Sequence, residues 1–111
     1  MSYTVNISAQ AENDLREIFS YIAFELESYI NAVGQLERLE AEINSLSELP
    51  ERCQRYEVEP WRSRGLRYMS VDNYCVFYIP YEERQTVGII RVMYGGRDID
   101  HWLTKDTNQS E

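Results

Sequence analysis

The apolar residues repeat at intervals that change along the chain. Near the N-terminus Tyr3, Val5 and Ile7 alternate with polar residues, which predicts a short half-buried strand. The interval then becomes helical, and a first amphipathic helix is predicted from one apolar face: Ala11, Leu15, Ile18 and Ile22, widened by Phe19. Ser8 is placed to cap this helix, because its hydroxyl can accept a hydrogen bond from a backbone N–H of the first turn.

A second apolar stripe predicts a second helix after a break at residues 25–28, with Ser28 as its cap. The stripe consists of Val33, Leu36, Leu39, Ile43, Leu46 and Leu49. Pro50 is predicted to end this helix, since the residue before a proline disfavours helical backbone. The short joint makes the two helices an antiparallel hairpin. A coiled coil is the alternative, but the stripe stops after about three heptads and is followed by strands.

Three further strands are predicted at residues 65–71, 73–79 and 86–94. They are rich in Tyr, Val, Ile and Phe, which suit a pleated, half-buried surface. Asp72 and Asn73 tolerate the left-handed backbone of a tight turn, and residues 80–85 form a second, polar turn.

The predicted order of elements is therefore β-α-α-β-β-β, an α+β fold in which a helical hairpin packs on one face of a small, mainly antiparallel sheet. The first strand is expected to join the others as a mixed or antiparallel partner. Asp98 can begin a short C-terminal helix, which would carry Ile99, Trp102 and Leu103. We expect a single domain over residues 1–104 and a frayed C-terminal tail at residues 105–111.

Composition excludes several classes of protein. No window of about eighteen apolar residues occurs, so no membrane span or membrane partner is expected. The N-terminal residues lack the pattern of a secretory signal, and Cys53 and Cys75 are the only cysteines, so a cytoplasmic location is expected. One His and two distant Cys do not have zinc-site spacing, so neither a metal nor another cofactor is expected.

The formal net charge of −8 is unevenly distributed. Residues 1–51 contain ten acidic and two basic side chains, whereas residues 52–97 contain eight arginines and five acids. Arginine can bind a carboxylate or a phosphate with two hydrogen bonds. Two interpretations stay open: an ordinary solvated surface, and a sheet face that binds an acidic partner. The overall negative charge opposes strong direct binding to nucleic acid.

Three separated motifs resemble the RelE/ParE superfamily of bacterial toxins, and especially its ParE-like branch. The first is Ala-Glu-Asn-Asp-Leu-Arg-Glu-Ile-Phe-Ser-Tyr-Ile at residues 11–22, and the second is Leu-Ser-Glu-Leu-Pro-Glu-Arg at residues 46–52. The third is the strand set, with Arg67, Asn73-Tyr74-x-Val76-Phe77-Tyr78 and Arg91-Val92-x-Tyr94-Gly95-x-Arg97-Asp98. The resemblance spans residues 3–98. It implies the toxin of a type II toxin–antitoxin system, of the kind involved in plasmid stabilization, neutralised by a cognate antitoxin.

The family contains ribonucleases as well as gyrase inhibitors, and the side chains at the ribonuclease positions argue against the first of these. When the strand of Tyr74 is aligned, the catalytic arginine of the ribonuclease branch falls on Cys75, and its two lysines fall near Leu66 and Tyr68. None of these side chains can stabilise developing charge on a phosphate. Cys75 has no adjacent His and is interpreted as a small buried hydrophobe.

One weaker catalytic candidate exists. Some ribonuclease relatives use a C-terminal His beside an aromatic residue, and His101 followed by Trp102 resembles that pair. His101 is the only imidazole in the chain. The alternative is a solvated or capping residue without a catalytic role.

Five residues are the candidates for binding the target or the antitoxin: Arg67, Arg91, Tyr94, Arg97 and Trp102. Pairing with acids of the same chain is the alternative for the arginines. Period-two geometry would place Arg91 on one sheet face with Val87, Ile89 and Met93, where its charge needs either an internal partner or an open groove.

These observations favour a toxin that inhibits a cellular target by binding it, without breaking bonds itself, and the family resemblance implies DNA gyrase as that target. The first alternative is a RelE-like, ribosome-dependent mRNA endonuclease with a variant active site. The second is a non-toxic binding module of the same fold.

Overall fold

A five-stranded mixed sheet is the centre of the fold. The computed structural model describes residues 2–96 and 98–106, with side chains through Leu103. The strands are β1 (Thr4–Ile7), β2 (Gln54–Arg55), β3 (Arg67–Val71), β4 (Tyr74–Tyr81) and β5 (Thr86–Tyr94), in the spatial order β1-β5-β4-β3-β2. Only the β1–β5 pairing is parallel; the other pairings are antiparallel. The predicted α+β class is confirmed, and β1 is the mixed partner.

The helices are α1 (Ala9–Ser20), α2 (Tyr29–Ser45), α3 (Trp61–Arg64) and α4 (Ile99–Asp106), and a π-helical segment at Tyr21–Glu25 follows α1. Both predicted caps are confirmed. Ser8 Oγ accepts a hydrogen bond from the Ala11 N–H at 3.0 Å, and Ser28 Oγ accepts one from the Asn31 N–H at 3.4 Å. None of the described helices has the length and hydrophobicity needed to cross a membrane.

The predicted end of α2 at Pro50 was wrong by about one turn. The helix ends at Ser45, and Pro50 instead begins a 3₁₀ turn, Pro50–Arg52. The last carbonyl groups of a helix need partners outside it. Arg52 supplies one, since its Nη1 donates to Ser45 O at 3.3 Å. The same guanidinium also donates to Glu48 O at 2.6 Å and to Ser45 Oγ at 2.8 Å.

The connection between α2 and β3 contains two elements that the apolar pattern did not predict, β2 and α3. Both are short, and the segment has no period that distinguishes them from a loop. Strand β4 also runs past its predicted end, because Pro80 and Tyr81 still pair with β5. The polar turn is consequently confined to a 3₁₀ turn at Glu82–Arg84 and the left-handed residue Gln85.

Both faces of the sheet are buried, each by its own apolar cluster. The cluster on the side of the helical hairpin includes Leu15, Leu39, Ile43, Val76, Tyr78, Ile89 and Val92. The cluster on the opposite side, beneath α4, consists of Trp61, Leu66, Phe77, Ile79, Met93 and Leu103. Consecutive residues of β4 therefore alternate between two dry cores, which explains why β4 reads as a nearly continuous apolar run.

A β-bulge interrupts the pairing of β4 with β5. Phe77 pairs with Arg91 while Tyr78 pairs with Ile89, so Ile90 is an extra residue on β5. An extra residue shifts the alternation beyond it. The prediction that Val87, Ile89, Arg91 and Met93 share one face was therefore wrong: Ile89 packs beneath the helical hairpin, and Met93 packs in the opposite cluster.

The turn between β3 and β4 is fastened to α2 through Asp72. Asp72 has a left-handed φ of 55°, as predicted for this turn. Its carboxylate accepts hydrogen bonds from Arg38 Nε and Gln35 Nε2, both at 2.8 Å. The hydrogen bond from Arg38, followed by that from Gln35, holds the pKa of Asp72 below its ordinary value of 3.8. The ionised carboxylate is therefore the form that stabilises the fold.

We predict that Asp72→Asn lowers the melting temperature at neutral pH and that this difference disappears in acid. Asparagine tolerates the left-handed backbone, so the substitution removes mainly the charge. A pKa lowered by folding contributes stability above the unfolded value, and that contribution is lost as the pH falls through the folded pKa. Thermal unfolding of both proteins from pH 7 to below 3.8 measures the effect. Glu83→Gln, in the exposed β4–β5 turn, is the control; an equal effect of the two substitutions would contradict the prediction.

Candidate functional site

The end of β5 carries the predicted contact residue Tyr94 beside an open groove. Tyr94 is 51% exposed, and its ring lies edge-on to Tyr74 with the centroids 6.0 Å apart. The groove has a volume of about 590 Å³ and separates this sheet edge from α1 and the π-helical segment. We name it the tyrosine groove; its lining includes Glu17, Ile18, Tyr21, Tyr74, Met93 and Tyr94.

The tyrosine groove offers aromatic faces and neutral hydroxyl groups. Burial, followed by the neighbouring Tyr21 and Tyr94, raises the pKa of Tyr74 above its ordinary value of 10.0. The phenol is therefore protonated at neutral pH and can donate a hydrogen bond. Glu17 adds an exposed acidic group to the wall. Such a surface suits a protein segment that brings both apolar and hydrogen-bonding groups.

Gly96 leaves room for the Tyr94 ring beside the turn. A Cβ atom at Gly96 would be 2.6 Å from Cε2 of the Tyr94 ring, which is too close for a real side chain. The ring therefore covers the backbone of this turn, and the preceding Gly95 N–H donates to Asn73 O at 2.8 Å. Arg97, the next predicted contact residue, lies outside the described residues.

Arg91 forms an ion pair inside the fold. Of the two alternatives, an internal partner and an open groove, the structure therefore shows the internal partner. Its Nε donates to Asp14 Oδ2 at 2.8 Å and its Nη2 donates to Asp14 Oδ1 at 3.0 Å. The Val92 N–H also donates to Asp14 Oδ2, at 2.9 Å. Arg91 and Asp14 are only 8% and 7% exposed. Asp14 was not predicted as the partner of Arg91, although it falls at helical spacing within the apolar face of α1.

Arg67 is also engaged within the chain. Its Nη1 donates to Cys53 O at 2.7 Å and to Glu51 O at 3.1 Å, so it fastens the connector to β3. Arg67 pairs with Tyr78, whereas Tyr94 pairs with Tyr74 at the other end of β4. Four residues of strand separate the two positions, roughly 13 Å. The structure therefore does not bring Arg67 and Tyr94 together.

His101 and Trp102 lie on the outward side of α4. Their rings meet edge to face with the centroids 5.8 Å apart, and Trp102 is 36% exposed. Leu103, the next residue, is fully buried against the sheet. The α4 helix extends to Asp106, and the remainder of the predicted tail, residues 107–111, lies outside the described residues.

The positions that correspond to the basic set of the ribonuclease branch carry no cation. Leu66 is fully buried, and the Tyr68 hydroxyl donates to Gln54 Oε1. Burial raises the pKa of the half-buried Cys75 thiol, so the thiol is not activated as a nucleophile. In the described part of the chain, no cluster of three or more His, Cys, Asp or Glu side chains could hold a metal ion.

Aromatic packing occupies the same sheet face. Tyr56 lies edge-on to Phe77 and Tyr68, with centroids 5.9 Å and 6.3 Å apart. Its hydroxyl donates to Asp100 Oδ1 at 3.2 Å, which connects this face to α4. Burial, followed by the charge of Asp100, raises the pKa of Tyr56 to about 12. The phenol is thus a neutral donor and not a general base at physiological pH.

Comparison with known proteins gives a consistent assignment. The sequence model of a family described as the ParE toxin of the type II toxin–antitoxin system parDE matches residues 5–99. No curated protein matches the chain significantly.

Several solved structures are similar to the chain. One is a chromosomal ParDE system from P. aeruginosa, with a TM-score of 0.69, 14% identity and coverage of 84% of this chain and 96% of that one. Another is the RelBE2 toxin–antitoxin complex from Mycobacterium tuberculosis, with a TM-score of 0.59, 23% identity and coverage of 85% and 92%. The isolated E. coli RelE toxin has a TM-score of 0.59, 16% identity and coverage of 94% and 97%. Identities this low establish a shared fold only.

We predict that Arg91→Ala destabilises the protein by about 3–5 kcal/mol, because it leaves the buried Asp14 carboxylate without its counter-charge. Urea unfolding measures the loss, and Asp14→Asn should also be strongly destabilising. Arg16→Ala is the matched control, because it removes an exposed arginine from α1, the helix that carries Asp14. An Arg91→Ala protein with an unchanged unfolding midpoint would assign Arg91 to binding instead.

Proposed function

The chain belongs to the ParE toxin family of type II toxin–antitoxin systems, and we propose that it inhibits DNA gyrase by binding to it and is neutralised by a cognate antitoxin. Its toxic effect would then come from occupying the target and not from cleaving a nucleic acid. A cytoplasmic location is part of this proposal, because gyrase acts on DNA there.

One observation carries this proposal. The sheet face that would have to cleave RNA has no basic group at the three positions that align with the catalytic arginine and the two lysines of the ribonuclease branch. Leu66 is buried in the apolar cluster, Tyr68 is hydrogen bonded to a glutamine, and Cys75 is a protonated thiol. RNA cleavage develops negative charge on a crowded phosphate, which needs nearby cations. The net charge of −8 also opposes approach to ribosomal RNA.

An endonuclease is the second candidate, and the exposed pair of His101 and Trp102 favours it. An imidazole can transfer a proton near neutral pH, and an indole ring can stack on a base. The pair lies outside the sheet, however, and none of the three sheet positions Leu66, Tyr68 and Cys75 supplies a cation. A non-toxic binding module would preserve the fold and leave gyrase and ribosome alike unaffected.

Tyr94 is the best-placed candidate for contact with the target. It is half exposed at the end of β5, and it borders the tyrosine groove. Trp102 and Arg97 remain predicted contact residues. We assign Arg67 and Arg91 positioning roles instead, because their guanidinium groups hydrogen bond to the connector and to Asp14.

We predict that purified protein inhibits supercoiling by gyrase and that Tyr94→Ala weakens this inhibition without changing the melting temperature. Truncating a half-exposed aromatic ring removes contact area but leaves both buried clusters intact. His101→Ala is the control and should inhibit like the unmodified protein. Induced cells should filament and show gyrase-dependent DNA damage.

An assay of mRNA cleavage on programmed ribosomes tests the endonuclease alternative. Codon-dependent mRNA cleavage that disappears in His101→Ala would replace gyrase inhibition with the endonuclease. If neither gyrase nor ribosome responds to a folded protein, the non-toxic module is the correct alternative.

We further predict a complex with the product of the adjacent gene with nanomolar or lower Kd, equivalent to about −12 kcal/mol or better. An antitoxin segment that becomes ordered on the toxin would bury apolar surface along the tyrosine groove. Co-expression followed by calorimetry on the purified pair measures the affinity. The absence of a stable complex with that product would contradict the antitoxin assignment, whatever the outcome of the gyrase assay.

A further inference from the structure

The tip of the helical hairpin exposes several large apolar side chains that are close together in the chain. We name this set the hairpin tip surface; it consists of Phe24, Leu26, Tyr29 and Ile30, which are 72%, 56%, 66% and 83% exposed. Single exposed apolar residues are ordinary on protein surfaces. Four within seven consecutive positions form a patch, and apolar patches of this kind mark sites of interaction.

The backbone at the tip is arranged so that this surface faces outward. The Leu26 N–H donates to Tyr21 O at 3.0 Å, a π-type bond that spans five residues and inserts one extra residue after α1. In an unbroken α-helix Leu26 would follow Ile18 and Ile22 on the inward face. Ile22 is buried, but Leu26 is more than half exposed. π-Helical insertions recur at functional sites, which makes this outward placement significant.

The tip is also firmly supported from below. Ala32 is fully buried, and Ile22 and Ala23 are nearly so, in a small cluster where the two helices meet. The Tyr29 ring additionally lies edge-on to Phe19, with the centroids 5.7 Å apart. The exposed side chains therefore stand on a packed base, and a partner would not need to order the segment on binding.

Charge restricts the identity of the partner. Between Arg16 and Arg38 the chain has no basic residue but four glutamates: Glu17, Glu25, Glu27 and Glu37. All four are exposed, and two of them alternate with the apolar residues of the tip. This field repels a second copy of a chain with a net charge of −8, as well as an anionic membrane.

We propose that the hairpin tip surface binds a basic amphipathic helix of a protein partner. The apolar face of that helix would cover Phe24 and Ile30, while lysines or arginines on its flanks would meet Glu25 and Glu27. This function goes beyond the inhibition of gyrase and does not depend on it.

A direct test uses the full chain and a synthetic helix about five turns long, built from leucine and lysine with all leucines on one face. NMR spectra of the isotope-labelled protein should show shifts of amide signals within residues 21–30 on titration. The double variant Phe24→Ser/Ile30→Ser should bind at least about tenfold more weakly, because these positions would be the centre of the contact. Glu25→Gln/Glu27→Gln should weaken binding and reduce its dependence on salt.

Two controls make the test specific. Val58→Ser changes a 42% exposed apolar residue outside the tip and should leave the affinity unchanged. A peptide with glutamate in place of lysine should not bind. Melting temperatures verify that each variant is folded. If the serine variants do not fold, the glutamate-to-glutamine variants still test the proposal.

Three results would overturn the proposal. One is equal binding of the glutamate peptide, and another is a set of shifts centred outside residues 21–30. The third is self-association of the chain that the serine variant abolishes, which would assign the tip to a second copy.

Discussion

The ion pair between Asp14 and Arg91 determines how the helical layer lies on the sheet. The Asp14 carboxylate accepts three hydrogen bonds, two from the guanidinium and one from the backbone of Val92. Both charges are withdrawn from water, so the pair provides less net stability than its hydrogen bonds suggest, and either half alone would be costly. What it provides is geometry: α1 can approach β5 in one register only. Of the two walls of the tyrosine groove, Tyr94 lies on β5, and Tyr21 begins the π-helical segment that directly follows α1.

Burial of both sheet faces limits where function can reside. Beneath the hairpin the sheet meets aliphatic side chains, and beneath α4 it meets Trp61, Phe77 and Met93. The partly buried polar positions on the second face include Tyr56, Tyr68 and Cys75, and none of them is a basic side chain. The exposed end of β5 at Tyr94, the outer side of α4 and the hairpin tip surface are open to interaction. This distribution supports the proposed mode of action, in which the protein works through contacts with other proteins.

The elements predicted best from sequence are those specified by local chemistry. Ser8 and Ser28 cap helices through atoms only three residues away, and Asp72 adopts the left-handed turn that its own side chain tolerates. The features that escaped prediction depend on distant partners. The bulge at Ile90 is a feature of the pairing between β5 and β4, which the sequence of β5 alone does not show. The Asp14–Arg91 pair joins residues on elements at opposite ends of the chain. Helical spacing could have identified Asp14 as an acid within an apolar face, but no local pattern predicts Arg91 as its partner.

The same distinction explains why the uneven charge was hard to interpret. The arginine-rich second half of the chain suggested, as one interpretation, a sheet face that binds an acidic partner. In the structure, every described arginine of residues 52–96 has a contact within the chain with a carbonyl oxygen, a carboxylate or an aromatic ring; these residues are Arg52, Arg55, Arg62, Arg64, Arg67, Arg84 and Arg91. Several of these contacts hold together a connector that has little regular structure. The glutamates of the helical hairpin are exposed, and the hairpin carries only two basic side chains, Arg16 and Arg38. The field that an approaching molecule meets at the hairpin is therefore negative, which disfavours a nucleic acid and favours a protein partner with basic groups.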